Sequence, residues 1–466
     1  MAKQLFSFIL LYFFTFSFSQ NVNIPDSEFK FFLANITPEK YMAIDLNGNY
    51  TKIDTNGDGE IQVSEAENIT SLYSNNLLVK NITGLEAFKN LNTFSFISNV
   101  ILSLDLSSVK SLKNITITNC LALSSLNLKG LANLEKIDIT GSYNNYLSYI
   151  DFSENVNLKK IYWNGKFSSI NISNNINLEE ITLLSQNLSS LNISTNTKLK
   201  KLVLDKDKVQ TLDFSSNIDL ETIYFSNSSL LEANFINNSN LKDISIYGTK
   251  LNLLILPQTS NLKNLSLSGS KVQTINFNNQ LLLEHIVLTK NTLAAIDFSK
   301  NINLSFVQVS NESSIKSLDL SMNSKLQTLW FDYLDSLESL YIKNNKKQNF
   351  SESYNSCPKL NFVCCDEDEK DFFINKGIPN VTTDCLLKIQ ENNLLSDFKI
   401  YPNPTSGVLN FSQKVNDIKI FDLDGKLIFN KNINSNILDV STIKNGVYIL
   451  DITSDNKKTS QKFIKK

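Results

Sequence analysis

"LKKLVLDKDKVQTLDFSSNID", residues 199–219, carries its apolar residues in one order used twice. Leu199, Leu202 and Leu204 give L-x-x-L-x-L, and Val209, Leu212 and Phe214 follow the same spacing ten residues later. Apolar residues two apart, with a polar residue between them, mark a strand with one face buried. The stretch therefore reads as two short strands joined by turns, both with their apolar side facing inward. Alone it has nothing to bury that side against.

The rest of the chain supplies the partner. The pattern L-x-x-[L/I]-x-[apolar] recurs twelve times, its first leucine moving from Leu91 to Leu326. Seven of the eleven intervals are 21 residues and the others are 20, 22, 22 and 24. A period this regular predicts a solenoid in which each unit is one coil and stability comes from stacking neighbours. With strands about 4.8 Å apart, twelve coils form a stack on the order of 55–60 Å long. The units resemble leucine-rich repeats, specifically the short bacterial class with a 21-residue period. That resemblance implies a mainly β fold and a platform whose ligand is not specified by the fold.

Two outward columns follow from the alternation. In the second half-coil the column is almost constant: Asp105, Asn127, Asp151, Asn171, Asn192, Asp213, Asn234, Ile255, Asn276, Asp297 and Asp319. An Asp/Asn ladder of this kind is expected to bond backbone or neighbouring amides. The first half-coil column varies and includes Tyr162, Tyr224 and Trp330. Individuality and aromatic anchors are what a recognition surface needs, so these three are the candidate ligand-binding residues; the alternative is that scattered surface aromatics mean nothing.

Ahead of the repeats, "DTNGDGEIQVSE" (54–65) places oxygen ligands at the positions of an EF-hand-type calcium loop: Asp54, Asn56, Asp58, the Glu60 carbonyl, Gln62 and Glu65, with Gly59 at the sharp turn. The alternative is an Asx- and Gly-rich surface turn. "IPDSEFKFFLANI" (24–36) reads as a helix starting near Asp26, with Phe29, Phe32 and Leu33 on one face. Segment 20–81 resembles the N-terminal cap of internalin-like bacterial repeat proteins, and the resemblance implies a structural Ca2+ that stiffens the cap. Ala66 departs from the large apolar residue usual after such a loop, and "DLNGN" (45–49) lacks the final glutamate. A lone, dockerin-like loop fits these departures.

The expected organisation is a signal peptide at 1–19, the cap at 20–81, the solenoid at 82–345, a cysteine-containing cap at 346–388, a linker at 389–397 and a tail domain at 398–466. Residues 1–19 join Lys3 to a Phe/Leu-rich run ending in Ser17 and Ser19, a cleavable secretory leader. Export suits the cysteines. Cys357, Cys364, Cys365 and Cys385 are disulfide candidates, with Cys357 and Cys385 each joined to one of the adjacent pair. A zinc site is the alternative.

The tail alternates short strands with turn signals and predicts a small immunoglobulin-like β-sandwich, with a hairpin turning at Asp424-Gly425. It resembles the type A sorting domain of the Bacteroidetes type IX secretion system through Tyr401-Pro402-Asn403-Pro404, Gly446-Val447-Tyr448 and a basic end with Lys462, Lys465 and Lys466. The resemblance implies recognition by the secretion machinery and release or attachment at the outer-membrane surface. A net charge of −2 gives no footprint for nucleic acid, and no later segment has the length of a transmembrane helix. All 44 basic residues are lysine and there is one histidine, His285. No nucleophile elbow, zincin helix or phosphate loop is present. The expectation is a secreted or surface-displayed binding protein for protein or glycan ligands, not an enzyme. The alternatives are a self-associating structural component of the cell surface and a carboxylate-dependent glycan hydrolase.

Overall fold

The computed structural model describes residues 20–74, 78–98, 100–141, 147–184, 187–350, 357–385, 398–422, 426–454 and 457–466. The leader, the linker and the Asp424-Gly425 turn lie outside the described residues. The chain divides into two compact units, Met1–Cys385 and Leu386–Lys466.

In the first unit the alternation of Leu202 with Leu204 becomes the strand Lys201–Asp205, both leucines facing the core. Equivalent five-residue strands stack in parallel and in unbroken register, so that Leu202 sits beside Ile181 on one side and Ile223 on the other. All twelve expected coils enter this sheet, and it runs beyond them to fifteen strands. Ile69–Tyr73 is a further parallel strand beside Thr93–Ile97, so the sheet reaches into the segment assigned to the cap. Ala43–Asp45 then pairs with it antiparallel. Reversing direction ends the series and covers its open edge. The helix α1 (Ser27–Ala34) closes the same end, its first turn capped by Asp26, which accepts from the Phe29 N–H at 2.9 Å. Phe29, Phe32 and Leu33 carry the core into it.

Nine of the long strands are followed by a residue in the left-handed region: Asn119, Gly141, Lys206, Asn227, Gly248, Gly269, Lys290, Asn311 and Tyr333 all have φ between 51° and 69°. That single conformation turns the chain towards the second half-coil. Glycine and asparagine meet it readily; Lys206, Lys290 and Tyr333 carry strain that the stack on either side holds in place.

The second half-coils are less regular. Some make three-residue strands, paired as Ser103–Asp105 with Ser125–Asn127, Tyr149–Asp151 with Ser169–Asn171, and Glu232–Asn234 with Leu253–Ile255. Others, such as 209–214, run extended without a ladder. The constant Asp/Asn column stays exposed here and mostly bonds within its own coil. Asp213 accepts from the Ser215 N–H, and Asp297 and Asp319 accept likewise two residues on, each at 2.9 Å. These are Asx turns, although Asn171, donating to Asp151 at 3.0 Å, and Asn127, bonded to Asp105, also reach along the stack.

The bonds that tie coil to coil come from a different column. Asn155, Asn175, Asn196, Asn217, Asn238, Asn301 and Asn323 are buried three residues before the leucine that opens a coil. Asn196 donates to the Ile172 and Asn175 carbonyls at 3.1 and 2.9 Å, Asn217 to Ile193 and Asn196 at 3.0 and 2.8 Å, and Asn238 to Phe214 and Asn217 at 3.1 and 2.7 Å. One amide nitrogen thus satisfies two turn carbonyls of the preceding coil. Gln280 takes the place once, reaching the Pro257 carbonyl at 2.8 Å.

The second unit is a small antiparallel β domain around Leu409, Val415, Ile418, Ile420, Leu450, Ile452 and Phe463. Its strands Val408–Phe421 and Leu427–Asp439 pair along most of their length, with register shifts at three places. Bulges of this kind bend long strands, and the domain is a half-barrel consistent with a sandwich.

A prediction follows from the donor column. Asn217→Ala removes two buried bonds and should cost about 2 kcal/mol. Asn217→Asp should cost more, because it sets an acceptor, or a buried charge, against two carbonyl oxygens. Urea unfolding of the two variants should give midpoints ordered wild type, Ala, Asp; an Asp variant as stable as wild type would show that the nitrogen is not the working atom.

Candidate functional site

The varied column of the first half-coil lies in register along the long sheet. Tyr162 neighbours Thr182, Thr182 neighbours Val203, and Val203 neighbours Tyr224, with Gln308 beside Trp330 further on. Of the three aromatic candidates, Tyr224 and Trp330 are exposed at 38% and 40%, and Tyr162 is half-buried. Tyr162 stands three strands from Tyr224, so the three do not form one patch.

Two aromatic clusters form instead, through residues of the flanking columns that the middle-column reading passed over. Tyr247, on the strand after Tyr224, brings its ring to 5.8 Å from the Tyr224 ring. Phe306 packs edge-on against Trp330 at 5.2 Å and lies 6.4 Å from the His285 ring. The missed signal is that a five-residue strand has three outward positions, not one. His285 is held in place: its Nδ1 donates to the Asn264 amide oxygen at 2.8 Å, and Asn264 donates to Asp243 at 2.5 Å. The chain of bonds crosses three strands and fixes the ring orientation beside Phe306. Around both clusters many outward residues are uncharged and polar, among them Thr222, Ser245, Ser266, Gln308 and Thr328, with Asp205, Asp243 and Asp332 at strand ends. Towards the N-terminal end the face turns ionic, with Lys160 bound to Glu180 at 2.6 Å and Lys136 4.0 Å from Asp138.

The loop at 54–65 has the backbone of a cation loop. Gly57 and Gly59 are in the left-handed region, at φ 78° and 80°. Asp54 accepts from the Gly57 and Gly59 N–H groups at 2.7 and 2.9 Å, Asn56 from Asp58 at 2.9 Å, and Asp58 from Glu60 at 2.8 Å. Glu65 closes the loop, accepting from the Thr55 and Gln62 N–H groups at 2.7 and 3.0 Å and completing the capping box of α2 (Val63–Glu67). Ile61 anchors the loop in the core, and its carbonyl accepts from the Val22 N–H at 2.7 Å. The Glu60 side chain pairs with Lys30 of α1, leaving its carbonyl as the loop's seventh-position group. Among the described residues no three His, Cys, Asp or Glu side chains cluster closely enough to hold a metal by themselves. The expected donor set is mixed, the carboxylates of Asp54, Asp58 and Glu65 with the Asn56 and Gln62 amides and the Glu60 carbonyl, a kind of set that calcium accepts.

At the other end, Cys364 and Cys385 form a disulfide with Cα atoms 5.5 Å apart. Cys357 and Cys365 do not pair; both are buried thiols of the solenoid core. The expected second bridge fails because neighbouring residues of an extended chain project to opposite sides. Only Cys364 faces Cys385, while burial and nearby Glu369 push the Cys365 thiol up to about 12. Glu369 itself is 1% exposed and accepts from the Gln348 N–H at 2.8 Å, and among the described residues it makes no ion pair. Burial raises it to about 7.

In the tail the three marker segments meet. Asn403 donates to the Lys462 carbonyl at 2.8 Å and accepts from the Ile464 N–H at 2.9 Å. The same final strand pairs with Gly446, Val447 and Tyr448 opposite Lys465, Ile464 and Phe463. Tyr401, Pro402, Asn403, Pro404, Lys462 and Lys466 are exposed, whereas Lys465 is buried and reaches Asn445 at 3.4 Å.

Residues 399–466 match the family model of the secretion system C-terminal sorting domain. The tail is therefore a type IX sorting domain, and the protein is exported, to the medium or the outer-membrane surface. Among the described residues no helix is long and apolar enough to cross a membrane. No curated protein matches the chain. Among solved structures it is similar to the functional domain of InlJ from Listeria monocytogenes, which includes a cysteine ladder: 16% identity, 96% of this chain and 98% of that one covered, TM-score 0.41. An internalin from the same organism, InlF, gives 15% identity over 73% and 95% of the two chains, with a TM-score of 0.38. The reading of the solenoid rests on its own register.

The raised Glu369 makes a prediction about pH. A carboxyl kept protonated by the fold up to about 7, against 4.5 when free, stabilises the C-terminal cap below 4.5. That contribution, about 3 kcal/mol, is lost as pH rises through 7. Hydrogen exchange of residues 362–382 should be slower at pH 5 than at pH 8 after correction for intrinsic rates, and Glu369→Gln should remove the difference.

Proposed function

We propose that this chain is an exported binding protein whose long-sheet face captures an extracellular protein or glycan, with no catalytic step. The observation that carries this reading is the pair of aromatic clusters, Tyr224 with Tyr247 and Phe306 with Trp330, partly exposed on one face among hydroxyl and amide side chains. Partly exposed aromatic rings offer large contact area at low entropic cost, and the hydroxyls and amides around them supply orienting bonds. Against catalysis stands the state of the surface carboxylates of the solenoid, many of which sit in exposed ion pairs or Asx turns. His285 is committed to Asn264 on one nitrogen. Within this reading the sorting domain delivers the solenoid to the secretion machinery, and the aromatic face works outside the cell.

Capture by a panel of immobilised polysaccharides and extracellular matrix proteins tests it. Tyr224→Ala with Tyr247→Ala, and separately Phe306→Ala with Trp330→Ala, should each lower affinity at least about tenfold, the effect of losing one anchor of roughly 1.4 kcal/mol. Melting temperature should hardly move, since little core is removed. Unchanged capture by both folded variants would put the interface elsewhere. One observation favours a second reading, self-association: Val156, Ile176, Ile218, Leu281 and Ile302 form an exposed aliphatic row, each one residue after a residue of the buried donor column. Sedimentation over a hundredfold concentration range separates the two readings.

We further propose that the loop 54–65 takes a structural Ca2+ through Asp54, Asn56, Asp58, the Glu60 carbonyl, Gln62 and Glu65. Support comes from the left-handed glycines and from carboxylates already oriented by backbone donors. Calcium at a hundredfold excess over its dissociation constant should stabilise the cap by about 2.7 kcal/mol. Asp54→Ala should abolish that gain in thermal melts and in hydrogen exchange of residues 24–74. Protection indifferent to calcium in the wild type would end the metal reading.

A further inference from the structure

Along the rim where the coils enter the long sheet, the residue after the opening leucine is charged in every coil from Lys113 to Glu284. Lysines and glutamates of neighbouring coils neutralise one another there. Lys159 lies 2.7 Å from Glu135, Lys200 3.0 Å from Glu179, Lys242 2.6 Å from Glu221 and Lys263 3.0 Å from Glu284. The ladder then stops. The next two coils carry Ser305 and Gln327 at the same position. Lys325 and Lys346 stand at this break, both exposed, and among the described residues neither makes an ion pair.

A groove of about 480 Å³ lies here, with Asn303, Ser305, Ser324 and Gln327 supplying hydroxyls and amides and the two lysines supplying charge. Glu284 also lines it, but its carboxylate is held by Lys263. Lys325 is aimed by the Asn303 amide oxygen, to which its Nζ donates at 2.6 Å. An ammonium has three donors, so two remain for a ligand. The groove meets the second aromatic cluster through His285. Its Nε2 is 3.4 Å from the Ser305 Oγ, and its ring lies 6.4 Å from Phe306, which packs against Trp330. A cationic, polar groove thus runs into an aromatic platform.

Given the capture role of the Phe306–Trp330 cluster, on which this rests, we propose that the groove takes the anionic group of an acidic polysaccharide, a carboxylate or a sulfate, while the adjoining sugar lies against the two rings. The volume falls within the range of small-molecule sites, about 300–1,000 Å³, and so suits a short stretch of a glycan chain. Two ammonium groups without carboxylate partners attract an anion. Lysine acts as a point charge, so carboxylate and sulfate serve alike. Sugar hydroxyls both donate and accept, which matches the mixed serine, asparagine and glutamine lining; the carboxylates of an acidic peptide only accept.

The test uses the full chain in calorimetry with four probes: a galacturonate hexasaccharide, a sulfated carrageenan hexasaccharide, a neutral galactan hexasaccharide and hexaglutamate. At least one acidic sugar should bind about tenfold more tightly than the neutral one, and the better of the two tells carboxylate from sulfate. Lys325→Gln with Lys346→Gln should weaken that binding about tenfold and leave the neutral sugar unaffected. Lys250→Gln with Lys271→Gln, which removes the same charge from exposed sites elsewhere on the solenoid, should change little. Raising salt from about 20 to 300 mM should weaken the wild type more than the Lys325/Lys346 variant. Failure of both acidic sugars to bind, equal losses in the two lysine variants, or hexaglutamate binding as tightly as the sugars would each overturn the site. Full affinity in the Lys325/Lys346 variant with loss in Phe306→Ala with Trp330→Ala would remove the groove and leave the capture surface standing. The reverse pattern would remove both.

Discussion

Everything in the solenoid depends on disposing of turn carbonyls. Each coil must turn back on itself within 21 residues, and its tightest turn points backbone oxygens at the next coil, away from water. The buried amide column answers this constraint. In Asn196, Asn217 and Asn238 one side-chain nitrogen takes two carbonyls of the coil before it. Because those bonds fix the turn, the leucine three residues later enters the core at the same height in the coils that carry the amide, and their long strands meet in register. The outward columns that carry Tyr224 and Trp330 inherit their alignment from it. A surface made of single residues from separate coils is only as well defined as the stacking beneath it.

The long sheet was legible because its signal is redundant: twelve copies of an alternation fix strand, face and register together. The aromatic face was legible only in part. Tyr224 and Trp330 stand in the column that alternation singles out, but their partners Tyr247 and Phe306 occupy the outer positions of neighbouring strands. Pairing across strands at an offset of two residues is a property of the stack, invisible in one unit. The structural ladder was misplaced for a different reason. The exposed Asp/Asn column is the more conspicuous in the sequence, yet its side chains bond two residues ahead, which any Asx turn does without neighbours. The working column announces itself as Asn-x-x-Leu, a spacing that looks like loop polarity until burial is known.

The cysteines show where spacing ceases to inform. Four thiols within 29 residues suggest two bridges, but an adjacent pair in extended backbone can offer only one sulfur to a given side. Cys365 goes into the core and behaves as a small apolar residue. The tail is the opposite case. Its marker residues are far apart in sequence and share one place in space, where Asn403 is bonded to the backbone of the final strand and that strand to Gly446-Val447-Tyr448. Short motifs separated by dozens of residues are what a compact recognition surface looks like when written linearly.

The donor column also has a direction, since every amide reaches backwards to the coil that precedes it. A coil added between 155 and 323 as a complete 21-residue unit would receive its neighbour's bond and pass on its own, leaving each existing pair intact. Coil number is therefore a free variable of this architecture, whereas the ends are not interchangeable. The first end must terminate the sheet and shield a core, as the reversed strand Ala43–Asp45 and α1 do. The last end runs on past Asn344, which still reaches back to Leu320 at 3.4 Å, through the strands Phe362–Cys364 and Asn380–Thr382. Whole-unit duplication or loss would lengthen or shorten the outward face of such a chain, while both terminal pieces would still be required in the same order.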